Sequence, residues 1–211
     1  LLTRAHTIVY DTGDVYGSDG TRATQRLLPA LRAFGRTQVD LLVQSRANGF
    51  RVGGVAALLA STPVERLHSG GRWRAGPPQL ESCERETGWS WDGVELRLFP
   101  ARATVGADDE VSCVLRVAAE DGRGRALLVP AQLDRAEALA LAGDGRAARL
   151  RADVVLAPRR GSLAPLVPGW VAAVAPRRVL VANRELTAPR RARLAAAWRV
   201  APADLRATAI E

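Results

Sequence analysis

The stretch VDLLVQSRANGFRVGG, residues 39–54, carries the pattern that decides the fold. Its first five residues, Val39–Val43, form a short and mostly apolar run, which is typical of a strand buried on both faces. A polar loop follows from Gln44 to Val52, and Gly53-Gly54 then leads into a short apolar helix at Val55–Ala60. A buried strand, a loop and a helix in this order indicate a sheet that is covered by helices.

The segments on both sides of this stretch continue the alternation of strands and helices. Residues 69–90 are rich in Gly, Pro and Arg and are expected to form an exposed connection, whereas the basic residues 190–211 are expected to form a surface helix with a frayed end. Strictly alternating or buried runs predict further strands at Thr7–Tyr10, Val64–Leu67, Val94–Leu98, Val111–Val117, Ala126–Val129, Val154–Ala157 and Val179–Ala182. Helical spacing and end signals predict helices at Ala23–Phe34 (stopped by Gly35), Arg135–Leu141 (N-cap Asp134), Val167–Val174 and Pro189–Trp198.

The pattern as a whole predicts an α+β fold with two mixed sheets and helices packed outside them. With 211 residues and 47% hydrophobic residues, the chain is long and apolar enough to form one domain over residues 1–211. No run approaches the roughly 18 apolar residues of a membrane span. Because the chain begins at Leu1 and contains no Met, we expect it to be a part of a longer protein.

The formal net charge is +8, and all 30 basic residues are Arg. Such a charge attracts polyanions, either nucleic acid or an anionic membrane surface. The alternative is a solvated basic surface that reflects a compositional bias of the genome. Aromatic residues, which stack on bases in many single-strand-binding proteins, make up only 5% of the chain.

Many short pieces of this chain, in the right order, resemble the metallo-β-lactamase superfamily. The pieces are Tyr10–Gly13, Leu27–Arg32, Asp40–Ser45, Gly53-Gly54, Leu127-Leu128, Ala152–Val155, Pro158 and Gly161-Ser162. Others look more narrowly like the C-terminal domain of ComEC, a bacterial competence protein that forms an inner-membrane DNA uptake channel: Cys83, Trp89, Trp91–Val94 and Ser112–Arg116. The resemblance implies a four-layer αββα sandwich whose first strand is truncated here.

The residues that hold zinc or manganese in that family are replaced in this chain. The family's His-x-His/Asp-x-Asp-His loop falls on Arg46, Asn48, Phe50 and Arg51. The later acidic ligand falls on Ala131, and the double histidine falls on Arg159 and Arg160. A guanidinium group has no lone pair for a cation and a phenyl ring has no donor atom. Asp11 remains, but in the family it supports the metal site and does not build it alone.

We therefore expect no metal and no cofactor, and three functions stay open. The first is a catalytically degenerate domain of a DNA uptake channel, whose partners are single-stranded DNA and the membrane portion of the same polypeptide. In it, Arg46, Arg51, Arg159 and Arg160 would form an anion site; the alternative is that they point to solvent. The second is a metal-dependent nuclease with a shifted acidic site, and the third is an inert structural domain. The shifted site would use Asp11, Asp14, Asp108, Asp109 and Asp134.

Cys83 and Cys113 are the only cysteines, too few for a four-thiolate zinc site. From the residues alone they are either a disulfide or two buried thiols. Both stand where the ComEC-like proteins often have cysteine, so the resemblance implies a Cys83–Cys113 disulfide. It also implies an inner-membrane protein whose soluble domain lies on the periplasmic side.

Other motifs indicate structure more than chemistry. Ser45, Ser112 and Ser162 lack a matching His and acid for a catalytic triad, and Gly17-x-x-Gly20 is too loose for a nucleotide-binding loop. The two histidines, His6 and His68, are expected to be structural. A set of three tryptophans is expected to pack against a sheet, with base stacking as the alternative: Trp73, Trp89 and Trp91.

Overall fold

The computed structural model describes residues 1–13, 15–16, 20–21, 23–46, 53–71, 73, 76–102, 111–121, 124–130, 132–143, 145–183 and 186–208. The chain divides into two compact units. The first unit comprises Leu1–Arg85 and Asp109–Cys113. The second unit comprises Glu86–Asp108 and Val114–Glu211. Within the described residues no helix is both long and apolar enough to pass through a membrane.

The first unit is built on a parallel four-stranded sheet. Its elements are β1 (Ile8–Tyr10), β2 (Val15–Tyr16), β3 (Gly20–Thr21), α1 (Leu28–Ala33), β4 (Val39–Gln44), α2 (Gly53–Ser61), β5 (Val64–Ser69) and β6 (Leu80–Ser82). The sheet has the order β1-β4-β5-β6 with every neighbouring pair parallel, and β2 and β3 form a separate antiparallel pair. The carboxyl ends of β1, β4 and β5 therefore meet at one edge.

The predicted strand at Val39–Val43 is confirmed as β4, and all of its residues are buried. A parallel strand between two neighbours is covered on both faces, which explains its nearly continuous apolar run. The one acid in the run, Asp40, accepts hydrogen bonds from the Thr7 backbone N–H at 2.6 Å and from Gln38 Nε2 at 2.8 Å. Side chains from the strands and from both helices form the core: Val9, Leu28, Leu31, Val39, Leu42, Val55, Leu58 and Leu67.

The second unit contains most of a mixed seven-stranded sheet. Its elements are β7 (Thr87–Trp91), β8 (Val94–Arg102), β9 (Val111–Ala119, from Val114 in this unit), β10 (Ala126–Val129), α3 (Arg135–Gly143), β11 (Val154–Leu156), α4 (Pro168–Val174), β12 (Arg178–Val181), α5 (Ala188–Trp198) and β13 (Leu205–Ala207). The order is β13-β12-β11-β10-β9-β8-β7. The half from β10 to β13 is parallel, and the β7–β8 and β9–β10 pairs are antiparallel.

The core of the second unit lies between this sheet and α3, α4 and α5. Its largest fully buried side chains are Trp170, Trp198 and Phe99. The predicted N-cap of α3 is confirmed, because Asp134 Oδ1 accepts the Glu137 N–H at 2.8 Å while Glu137 Oε2 accepts the Asp134 N–H at 2.8 Å. This reciprocal pair is a capping box.

Three sequence predictions of local structure need correction. Residues 69–90 are not only an exposed connection, since they contain β6, most of β7 and the buried Cys83. Residues 190–211 contain β13, which pairs with β12. The predicted helix at Ala23–Phe34 begins as a π-helical segment, Ala23–Leu27, before α1. Strands β6 and β13 have three residues each and lie at sheet edges, so they bury too little for a periodic pattern to show.

Candidate functional site

Asp11 lies directly after β1 and ties this strand to the end of β4. Its backbone is left-handed, with φ 58°, and its N–H donates to the Val43 carbonyl at 2.8 Å. Its carboxylate accepts the Ser45 backbone N–H at 2.7 Å and the Ser45 hydroxyl at 2.9 Å. This carboxylate therefore fixes Ser45, the first residue after β4, while its role in supporting a metal site stays a prediction.

Arg46 is held against the start of β9 within the first unit. Its Nε donates to Ser112 Oγ at 2.7 Å, and the Ser112 side chain is fully buried. Next to this contact, the Cys113 N–H donates to the Ser45 carbonyl at 3.0 Å. The guanidinium group of Arg46 is thus directed by a protein contact and is only half-buried. Ser112 is a residue that the sequence reasoning missed as a partner, since 66 positions separate it from Arg46.

Two glycines allow the backbone to close tightly around this segment. A Cβ on Gly70 would lie 1.8 Å from the Val111 carbonyl oxygen and 2.8 Å from the Ser45 carbonyl oxygen. A Cβ on Gly54, at the start of α2, would lie 2.7 Å from Thr12 Oγ1. Both distances are shorter than real contacts allow, so only glycine fits. In the Gly53-Gly54 pair of the sequence analysis, the close contact with Thr12 explains why Gly54 is a glycine.

The predicted disulfide between Cys83 and Cys113 is confirmed, with a Cα–Cα distance of 5.8 Å. Both cysteines are fully buried. The Cys83 N–H donates to the Ser69 carbonyl at 3.0 Å, and the Tyr10 hydroxyl donates to the Cys113 carbonyl. The disulfide therefore fastens residues 111–113 to the sheet of the first unit, at the place where Ser112 contacts Arg46.

Arg159 and Arg160 lie in a tight turn directly after β11 in the second unit. Three consecutive residues have left-handed backbone: Arg159 (φ 48°), Arg160 (φ 53°) and Gly161 (φ 82°). Two of these are not glycine, and such a conformation costs about 1–2 kcal/mol for each of them. Both arginine side chains are exposed, and Arg159 Nε donates to the Gln132 carbonyl at 3.1 Å. A strained turn that displays two cations is a feature expected of a binding loop.

Several predicted site residues lie outside the described part of the chain. They are Asp14, Asn48, Phe50, Arg51, Asp108, Asp109 and Ala131. Arg46 belongs to the first unit, whereas Arg159 and Arg160 belong to the second. The convergence of four arginines in one site therefore stays a prediction. Two acids of the alternative metal site predicted from the sequence have other partners. Asp11 is hydrogen-bonded to Ser45, and Asp134 caps α3.

The described side chains among these positions do not form a site for a divalent metal ion. Within the described residues, no group of three or more His, Cys, Asp or Glu side chains is arranged to hold one. Arg46, Arg159 and Arg160 carry no electron pair for a cation. The carboxylate of Asp11 is engaged by the Ser45 N–H and hydroxyl groups. The chemistry that this set supports is the binding of anions.

The tryptophans and His68 have structural surroundings. Trp89 and Trp91 make an edge-to-face contact with ring centroids 5.7 Å apart, and Trp73 packs against the core of the first unit while its Nε1 donates to Ser69 Oγ at 2.8 Å. His68 is buried on β5. Burial lowers the pKa of His68, and nearby Glu81 opposes this effect. The expectation that these residues serve packing is supported by these contacts.

Comparisons with known proteins bear on the fold. No protein-family model and no curated protein matches the sequence. Among solved structures, the metallo-β-lactamase SMB-1 bound to 2-mercaptoethanesulfonate is similar, with a TM-score of 0.54, 11% sequence identity and coverage of 77% of this chain and 73% of SMB-1. SMB-1 in a complex with mercaptoacetic acid gives a TM-score of 0.52 and 11% identity, over 74% of this chain and 70% of that one.

At 11% sequence identity, similarity to a solved structure shows only that the two chains share a fold. The predicted α+β class agrees with these neighbours, and within the described residues the chain has two larger sheets and five α-helices. Only the seven-stranded sheet is mixed as predicted, since every neighbouring pair in the four-stranded sheet is parallel. The chain therefore has the metallo-β-lactamase fold.

Proposed function

We propose that this chain is a catalytically degenerate domain of a ComEC-type DNA uptake protein, which binds the phosphates of single-stranded DNA without cleaving them. The observation that carries the proposal is the turn after β11. There, Arg159 and Arg160 are exposed on a left-handed backbone, at the place where the resemblance expects two histidines.

The chemistry of the side chains supports binding without hydrolysis. Metal-dependent hydrolysis of a phosphodiester needs a cation that lowers the pKa of a bound water and polarises the phosphate. Arginine supplies neither function, but its planar guanidinium group pairs with phosphate oxygens through two parallel hydrogen bonds. Replacing histidine by arginine therefore converts a cation site into an anion site.

Two further observations support the association with a DNA uptake channel. The formal net charge of +8 attracts a polyanion over distance. The Cys83–Cys113 disulfide suits an oxidising compartment such as the bacterial periplasm, the side on which DNA arrives. In this proposal the domain sits at the inner membrane and is tethered to the channel portion of the same polypeptide.

The experiment that tests the proposal combines three measurements on the purified chain. We expect no stoichiometric zinc or manganese by mass spectrometry, no cleavage of single-stranded DNA in the presence of Mn²⁺, and binding of that DNA with an affinity that falls steeply with salt. Bound metal together with cleavage would favour a nuclease with a shifted acidic site. The absence of both metal and DNA binding would favour an inert structural domain. Either result would overturn the proposal.

A further inference from the structure

Two separate basic segments of the second unit lie at the carboxyl ends of its parallel strands. Strands β11 and β12 are parallel neighbours, so their carboxyl ends lie at the same edge of the sheet. The Arg159–Arg160 turn follows β11, and α5 begins shortly after β12. Because α5 leads into β13, which is parallel to β12, the first turn of the helix must lie at that edge as well.

A direct packing contact joins the turn to the helix. A Cβ on Gly161 would lie 2.8 Å from Val181 Cγ1 on β12 and 3.1 Å from Leu194 Cδ1 on α5. The turn therefore rests on the side of α5 that carries Leu194. Arg190 and Arg191 stand four and three residues before Leu194, so they lie about one helical turn away on the same side.

The first turns of α5 carry only positive charge. Helix α5 has no acidic residue in its first turn, and Arg190 and Arg193 are exposed while Arg191 is half-buried. Within the part of the chain that the structure describes, none of these three arginines forms an ion pair, and neither does Arg160. We call these four residues the α5 patch: Arg160, Arg190, Arg191 and Arg193.

Several arginines elsewhere in the second unit are arranged differently. Arg97 bonds to Glu86 at 3.0 Å and also to Glu95, and Arg149 bonds to Glu86 at 2.8 Å. Arg116 reaches Glu95 at 3.4 Å. These arginines thus have carboxylate partners from the chain itself. The α5 patch combines several cations that have no such partner among the described residues, an arrangement that attracts anions from outside the chain.

We propose that the α5 patch binds the phosphodiester backbone of nucleic acid and extends the anion site from Arg159 and Arg160 onto α5. This inference rests on the proposed function, because it supplies the path of the same DNA strand across the second unit. The exposed positions of α5 besides arginine are Ala188, Pro189, Ala192 and Ala196. A helix that lies in a membrane surface needs large apolar side chains to insert, so the composition of this surface favours nucleic acid over lipid.

The test compares two double variants of the full chain that lose the same charge. Arg190→Ala with Arg193→Ala removes two exposed cations of the α5 patch, and alanine preserves the helix. The control, Arg177→Ala with Arg178→Ala, removes two exposed arginines at the amino end of β12, of which Arg177 lies 3.6 Å from Asp153 Oδ1. They lie at the opposite end of these parallel strands from the Arg159–Arg160 turn. The probe is a fluorescently labelled oligothymidylate, titrated at several salt concentrations.

We expect the α5 variant to bind the probe on the order of tenfold more weakly, with a salt slope reduced by about 1.4, since each lost phosphate contact lowers the slope for single strands by about 0.7. The control variant should keep the slope of the unchanged chain. Circular dichroism and thermal unfolding of both variants establish that each is folded.

The outcomes separate this inference from the proposed function. If the unchanged chain does not bind the probe, the proposed function and the inference both fail. If it binds, and Arg159→Ala with Arg160→Ala weakens binding, but the α5 variant behaves like the control, only the inference is overturned. If the α5 variant loses binding to phosphatidylserine vesicles while its affinity for the probe is unchanged, the patch is a lipid surface and the inference is wrong.

Discussion

Two regions of this molecule carry arginine where the resemblance expects metal ligands, and the protein holds them in different ways. After β4, Arg46 is fixed by Ser112, next to a disulfide and a glycine that no other residue can replace. After β11, Arg159 and Arg160 extend from a strained turn and are exposed. The comparison indicates that Arg46 is part of the framework of the first unit, while Arg159 and Arg160 are exposed to solvent.

The largest expected change in stability, which tests the framework around Arg46, comes from removing the disulfide. Replacing Cys83 and Cys113 by serine removes a cross-link between residues 30 positions apart, which should lower the free energy of unfolding by about 3–4 kcal/mol. Urea unfolding of the variant and of the unchanged oxidised chain measures the difference. An unchanged midpoint would show that the disulfide contributes nothing to the framework around Arg46.

Gly70 offers a second test of the framework around Arg46. In the variant Gly70→Ala the new Cβ would meet the Val111 carbonyl at 1.8 Å, so the backbone must shift at a cost of about 3 kcal/mol. Gly143→Ala is the matched control, because a Cβ there meets nothing within 4 Å. Thermal unfolding should separate the two variants clearly, and equal melting temperatures would contradict the close approach.

In the exposed turn, stability and DNA binding should respond separately to substitution. Arg160→Gly and Arg160→Ala both remove the guanidinium group, but glycine accepts the left-handed backbone at φ 53°. The glycine variant should therefore be more stable than the alanine variant by about 1 kcal/mol, while both bind single-stranded DNA equally weakly. Denaturant titration and DNA titration of the pair measure the two quantities. A glycine variant less stable than the alanine variant would show that the turn is not strained.

The smallest effect concerns the paired arginines of the second unit. The hydrogen bond from Arg97 lowers the pKa of Glu95 below the ordinary glutamate value of 4.5. A carboxylate with a lowered pKa stabilises the fold above its unfolded pKa, and this contribution is lost as the pH falls through the folded value. Unfolding of the Glu95→Gln variant should thus depend less on pH below about 4.5 than unfolding of the unchanged chain. Identical pH dependence would argue against this pairing.

The sequence predicted the fold far better than the site. Val39–Val43 and Ala126–Val129 have patterns that burial imposes locally, and both strands lie where predicted. The same holds for the N-cap of α3 at Asp134, whose partner, Glu137, is three residues away. Local patterns of this kind can be read without knowing the tertiary structure.

The contacts that shape the site have no such local signal. Arg46 and Ser112 are 66 positions apart, and the neighbour of Gly161 on α5, Leu194, is more than thirty positions away. The Gly70-Gly71 pair was a visible clue to a close backbone approach, but the sequence does not say which strand approaches. Only the topology brings α5, through Leu194, against the turn after β11.

The most direct test of the central claim is the affinity for single-stranded DNA after exhaustive treatment with a chelator. We predict that the unchanged chain binds without any metal, that Arg159→Ala with Arg160→Ala reduces the affinity on the order of tenfold and flattens its salt dependence, and that Arg177→Ala with Arg178→Ala does not. Binding that appears only when Mn²⁺ or Zn²⁺ is restored, and that is indifferent to Arg159 and Arg160, would contradict the account.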